Sequence, residues 1–143
     1  MKTTTLPLSA PDWRVLDAAG RTIGEVAANA AYALRGKHKA SFSPHQLCGD
    51  HVVVLNVAKL SIPASKERRK VYYKHTGFTG HMKKATLGQK LTKDATWVVR
   101  EAILGMLPKN SLRPRMLKRL HLFTGDEHPY AARKPEPLPY TVA

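Results

Sequence analysis

Three spacings in this chain invite a chemical reading. His45, Cys48 and His51 stand at H-x2-C-x2-H, Gly20 and Gly24 flank the start of a helical stretch, and Gly36-Lys37 is a glycine–lysine pair of the kind that cradles phosphate. None completes a working constellation. A structural zinc site needs four ligands, commonly in paired clusters. The nearest fourth candidates are His38 and Asp50, and His51 opens a strand that would turn it its own way. The glycines read G-x-x-x-G, without the glycine that lets backbone approach a pyrophosphate, and Glu25 adds a negative charge in the first helical turn. His38 follows Gly36-Lys37, so the hydroxyl that a phosphate-binding loop gives to Mg²⁺ is missing. A Cys48–histidine nucleophile has no orienting third group, and no catalytic pair stands out among the ten carboxylates. The sequence predicts no catalytic residue, no metal, no cofactor and no small-molecule substrate.

The cations tell more. The 143 residues carry 24 Lys and Arg against 10 Asp and Glu, a net charge of +14. Residues 66–119 hold fifteen of those cations and only three acids, so the excess lies mid-chain and not in a detachable tail. Such a field favours a polyanionic partner, most often nucleic acid. It falls into three clusters. "LRGKHK" at 34–39 supplies Arg35, Lys37, His38 and Lys39. The second runs through Lys66, Arg68, Arg69 and Lys70 to Lys74, His75 and Thr76, then Lys83 and Lys84. The third is Lys109, Arg113, Arg115, Lys118 and Arg119. Ordinary solvated surfaces intersperse both signs; these hardly do. A helix C-terminus tolerates one cation through its dipole, whereas a compact Arg-Gly-Lys-His-Lys loop suits several phosphates around one spot. Aromatic residues are 7% of the chain. Backbone and shape contacts to folded, double-stranded RNA are therefore expected ahead of base stacking on single strands. No helix-turn-helix or zinc finger points to DNA.

These clusters need elements to hold them. Residues 13–17 alternate as a short strand, and Thr22-Ile23-Gly24-Glu25 is a capping box. Behind it Ile23, Val26, Ala27, Ala30, Ala31 and Leu34 recur at helical spacing, with Gly36 placed to stop the helix. Residues 52–55, continued by Val57, form the β-branched run of a strand buried on both faces. Strand, helix and strand make a right-handed βαβ unit. A further strand is expected at 71–74, a loop at 76–80, and a helix capped by Asp94 that is apolar almost all round and ends at Pro108. A shorter helix capped by Ser111 should point Leu112, Met116, Leu117 and Leu120 inward, and residues 120–123 read as a last strand. The expected organisation is an extended lead-in over 1–12, an α/β core domain over 13–125 and a proline-rich extended tail over 126–143. One cysteine fits a reducing compartment. MKTTTLPLSA lacks the apolar core of a signal peptide, and no apolar run nears the roughly 20 residues that span a bilayer. The expectation is a soluble, cytoplasmic protein.

Five strings then occur in order: "LRGKHK", "SPH…GDHVVVLN" (43–56), "VYYKHTG" (71–77), "GMLPKN" (105–110) and "HPYAARKP" (128–135). Together they resemble the universal large-subunit ribosomal protein family L-thirteen over nearly the whole chain. The resemblance implies a single domain with a three-layer α/β/α fold around a small parallel sheet. It also implies a role binding large-subunit ribosomal RNA early in assembly and remaining beside neighbouring large-subunit proteins. By the same match Arg35, Lys37, His38, Lys39, Lys74, His75, Thr76 and Lys109 are expected to face RNA. The chain departs from the family pattern at Glu25, His81, Tyr130 and Arg133, and Pro63 interrupts the approach to the 71–74 strand. Two other classes compete: a regulatory RNA-binding module outside the ribosome, separated by whether the protein sediments with ribosomes, and a metal- or nucleotide-dependent enzyme, separated by elemental analysis and retained nucleotide.

Overall fold

A computed structural model describes Pro7 and residues 10–140; most of the expected 1–12 lead-in and the end of the tail lie outside the described residues. β1 (Trp13–Asp17), α1 (Ile23–Arg35) and β2 (His51–Leu55) form the expected βαβ unit, with β1 and β2 parallel from Trp13↔His51 to Asp17↔Leu55. The capping box sets the start of α1: Thr22 Oγ1 accepts from the Glu25 amide at 3.3 Å, and the Glu25 carboxylate accepts from the Thr22 amide at 3.2 Å. Glu25 thus has a structural use, satisfying an N–H that the helix cannot. Gly36 ends α1 at φ 80°. A side chain at that left-handed position would be strained, and a Cβ there would also meet the Cys48 carbonyl carbon at 2.7 Å.

Val52, Val53 and Val54 are fully buried, as a central parallel strand requires. Val57 does not extend β2. Asn56 turns left-handed and opens a 3-10 turn over Val57–Lys59. After it come α2 (Ala64–Arg69), β3 (Val71–His75), β4 (Met82–Thr86), α3 (Leu87–Lys93), α4 (Ala95–Met106), α5 (Arg113–Leu117), β5 (Leu120–Leu122), a 3-10 turn at Ala131–Arg133 and β6 (Glu136–Pro137). The main sheet runs β5-β2-β1-β6 and is parallel throughout. The fold is α/β, with this small sheet at its centre.

Several elements differ from the sequence reading. The strand at 71–74 pairs antiparallel with β4 in a separate hairpin. Residues 87–93 form a helix opened by a second capping box, Thr86 with Gln89. Pro63 leads into α2 in an extended conformation, compatible with its fixed φ. Asp94 caps α4 as expected, accepting from the Trp97 amide at 3.1 Å. That helix, however, buries only Val98, Val99 and Ile103, and Met106 is 48% exposed. Ser111 is not the cap of α5; the Asn110 carboxamide accepts from the Arg113 amide at 3.1 Å instead. Leu120 belongs to β5, not to that helix. The tail docks: β6 pairs with β1 at Arg14↔Glu136 and Val15↔Pro137, and the Tyr140 hydroxyl donates to the Asp17 carbonyl.

The main core lies on one face of the sheet, where Leu16, Val52 and Val54 meet the alanine-rich face of α1 and Val99 and Ile103 of α4. Small residues on α1 let α4 approach closely. The opposite face is covered by the C-terminal segment. Register puts Trp13, His51, Val53 and His121 on that side. Trp13 stacks on His51 at 4.4 Å and 8°, and Tyr130 closes over Trp13 at 4.8 Å and over His121 at 4.5 Å. Burial, with Arg119 and His121 nearby, holds the His51 imidazole below its ordinary range, and burial does the same to His121.

Two outcomes follow. Leu34 is fully buried, so Leu34→Ala should cost about 2–5 kcal/mol through the cavity it leaves; a thermal melt that barely moved would contradict the inward face of α1. Lowered histidine pKa values mean that the unfolded chain takes up protons first as pH falls. Stability should therefore be full above about pH 6.5, the ordinary imidazole value, and decline below it. The double variant His51→Gln/His121→Gln should lose less between pH 7.5 and 5.5, read as the change in Tm.

Candidate nucleic-acid interface

The end of α1 and the segment entering β2 are pressed together. A Cβ on Gly49 would sit 1.7 Å from the Leu34 carbonyl oxygen, so only glycine allows this contact. The crossing delivers Asp50 beneath the "GKHK" loop, its amide donating to the Ala33 carbonyl at 3.2 Å. The Asp50 side chain is fully buried and accepts from Lys39 Nζ at 2.5 Å and from the Asp12 amide at 3.0 Å. His38 Nε2 lies 2.8 Å and Arg14 Nε 3.7 Å from its second oxygen. Burial alone would raise this carboxyl's pKa, but the Lys39 hydrogen bond, the Asp12 amide, the Lys39 charge and His38 outweigh it and hold the pKa below the usual carboxylate range.

The loop's cations therefore divide. The sequence reading gave Lys39 and His38 to phosphates; in the folded chain their polar ends are on Asp50. Likewise the glycine expected to admit a phosphate brings α1 against the Cys48–Gly49 backbone. Arg119 of the third cluster donates to the Gly49 carbonyl, tying the approach to β5 into the same junction. Lys37 stays exposed, and half-buried Arg35 lies over the Phe42 ring at 5.5 Å.

The other predicted residues sit on the surface. Arg68 and Arg69 are exposed on α2 and Lys70 just after it, Lys74, His75 and Thr76 on β3 and its turn, and Lys83 and Lys84 on β4. Lys109, Arg115 and Lys118 are exposed around α5, with Arg113 half-buried there. Among the described residues, every ion pair belongs to Arg14, His38 or Lys39. Among the described residues, then, no carboxylate lies within bridging distance of the cations of 66–118.

Three shallow grooves connect two of the clusters across α4. The first is lined by Arg35, Lys37 and Met106. A second, lined by Lys66 and Lys70, shares Met106 with it. A third, lined by Lys74, Lys83, Lys84 and Lys90, shares Glu101 with the second. This last groove contains what the sequence reading missed. Tyr72 meets Trp97 edge-on at 5.2 Å, Lys90 lies 4.5 Å over the Trp97 ring, and Lys84 lies 5.8 Å over Tyr73. The Tyr-Tyr-Lys string marked one wall, but nothing local marked Trp97 and Lys90 as the other.

The enzyme-like spacings do not assemble. His45 is exposed, buried Cys48 turns its sulfur toward the Ser41 and Ser43 carbonyls, and His51 stacks on Trp13. Among the described residues no three His, Cys, Asp or Glu side chains gather as a metal-holding group. No helix there is long and apolar enough to cross a membrane.

Comparison with known proteins places the chain in a family. The pattern of ribosomal protein L13 matches residues 11–129. The large ribosomal subunit protein uL13 of Alkalilimnicola ehrlichii is 43% identical over 127 residues, 89% of each chain. Its counterpart from Symbiobacterium thermophilum is 45% identical over 88% of each chain. That of Corynebacterium diphtheriae is 46% identical over 87% of this chain and 84% of its own. With the pattern matched from β1 through β5 and identities of this size along nearly the whole length, the chain belongs to the ribosomal protein L13 family.

Proposed function

We propose that the protein is a non-catalytic constituent of the large ribosomal subunit. It binds large-subunit ribosomal RNA early in assembly and stays as a structural part, in the cytoplasm, beside neighbouring ribosomal proteins. The observation that carries this reading is the run of unpaired cations along the linked grooves over α4. Glu101, which lines two of these grooves, forms no ion pair among the described residues, and the buried Asp50 is already engaged by Lys39, His38 and Arg14. Cations without partners on a rigid surface attract phosphates and release counterions on contact.

Roles within the interface follow from geometry. Lys37, Arg68, Arg69, Lys70, Lys74, Lys83, Lys84, Lys109, Arg115 and Lys118 are free to meet phosphate. Arg35, Arg113, His75 and Thr76 sit at the edges of this set. His38, Lys39 and Arg119 act from inside, by fixing the loop and the sheet edge that carry the others. The family resemblance supports the same surface.

The test is binding to deproteinised large-subunit ribosomal RNA across a salt series. Lys37→Ala should weaken binding and reduce the slope of log affinity against log salt by about 1. The triple variant Lys66→Ala/Arg69→Ala/Lys70→Ala should reduce it by about 2–3. Lys39→Ala should behave differently, lowering Tm because it strips a buried carboxylate of its closest cation. An unchanged slope in the first two variants would contradict the interface.

A further inference from the structure

Three of the four large apolar side chains exposed among the described residues are gathered on one hairpin. Among the described residues the exposed large apolar side chains are Tyr73 at 62%, Phe78 at 74%, Met82 at 50% and Met106 at 48%. The first three belong to β3, β4 and the turn between them. Register accounts for the strand residues. Tyr73↔Lys84 and His75↔Met82 place these four on one face, while Tyr72 and Ala85 share the other, where Tyr72 packs edge-on against Trp97. One face is anchored to the domain and the other is bare.

The turn at the hairpin's end is built, not slack. Gly77 and Gly80 take φ of 96° and 77°, conformations that favour glycine. The Gly77 amide donates to His75 Nδ1 at 3.0 Å, and the His81 amide donates to the Phe78 carbonyl at 3.2 Å. The Thr76 amide and hydroxyl both donate to the His81 carbonyl, at 3.3 and 3.2 Å. The backbone around Phe78 is thus fixed while its ring stands in solvent, so little ordering would be needed to bind through it.

We propose that this hairpin is a finger that places the Phe78 ring against an unpaired nucleobase of large-subunit ribosomal RNA, a step that rests on the RNA-binding reading above. Charge selects the occupant. No acidic residue occurs between Glu67 and Asp94, and Lys74, Lys83 and Lys84 surround the strands. A nucleotide offers a flat π-face with an anionic phosphate beside it, which matches a ring among lysines. An apolar pocket on a protein would have to desolvate those lysines, a residue type depleted from protein–protein interface cores.

The experiment compares wild type with Phe78→Ala, Phe78→Leu and Phe78→Trp in binding to deproteinised large-subunit ribosomal RNA at several salt concentrations. Phe78→Ala and Phe78→Leu should each weaken binding about five- to hundredfold with the salt slope unchanged. Phe78→Trp should keep wild-type affinity, and all three should melt like wild type. Wild-type affinity in Phe78→Ala would overturn the proposal. So would wild-type affinity in Phe78→Leu, because any greasy side chain would then serve and stacking would be excluded. Failure of the wild-type protein itself to bind would strike the RNA reading first, which separates the two claims.

Discussion

The buried carboxylate of Asp50 is the contact on which the rest of the interface geometry depends. An ionised group with no access to water is stable only when its charge and lone pairs are met. Here Lys39, His38, Arg14 and the Asp12 amide meet them. These partners come from the loop after α1, from β1 and from the residue before it, so satisfying one anion fixes three segments. Gly49 makes the crossing possible, and Arg119, on the Gly49 carbonyl, adds the approach to β5. Removing the carboxylate would leave clustered cations repelling one another at the end of α1.

This arrangement separates inward charge from outward charge. Among the described residues Arg14, His38 and Lys39 hold the ion pairs, while the cations over α4 and on the hairpin form none. The far face of the sheet makes a different use of ionisable groups. Its two histidines stack among rings and serve as aromatic packing under the C-terminal segment. The tail is then part of the fold through β6 and Tyr140, so its prolines act as rigid spacers along a docked strand.

What could be read from the sequence was local. The βαβ unit followed from the T-x-x-E box, the alanine face and the valine run, because each depends on neighbours within one turn or strand. Asp94 announced α4 for the same reason. The hairpin and α3 lay between stronger signals; the Thr86–Gln89 box was present but unread. Asp50 reads from the sequence only as a metal candidate, since its partners Lys39, His38, Arg14 and the Asp12 amide are distant in the chain, the last two more than thirty residues away, and no spacing reveals such a pairing. The "LRGKHK" loop therefore reads as wholly outward, whereas Lys39 and His38 turn in to Asp50. Aromatic residues are only 7% of the chain, and what composition does not show is that folding gathers Tyr72, Tyr73, Phe78 and Trp97 around one hairpin and the helix beside it.

The central claim is membership of a working ribosomal particle held together by RNA. The most direct test is a sucrose gradient of native lysate, probed for this protein with and without ribonuclease. The account predicts a peak with the large subunit that collapses toward the top after digestion. A peak near the top from the outset, indifferent to ribonuclease, would contradict it.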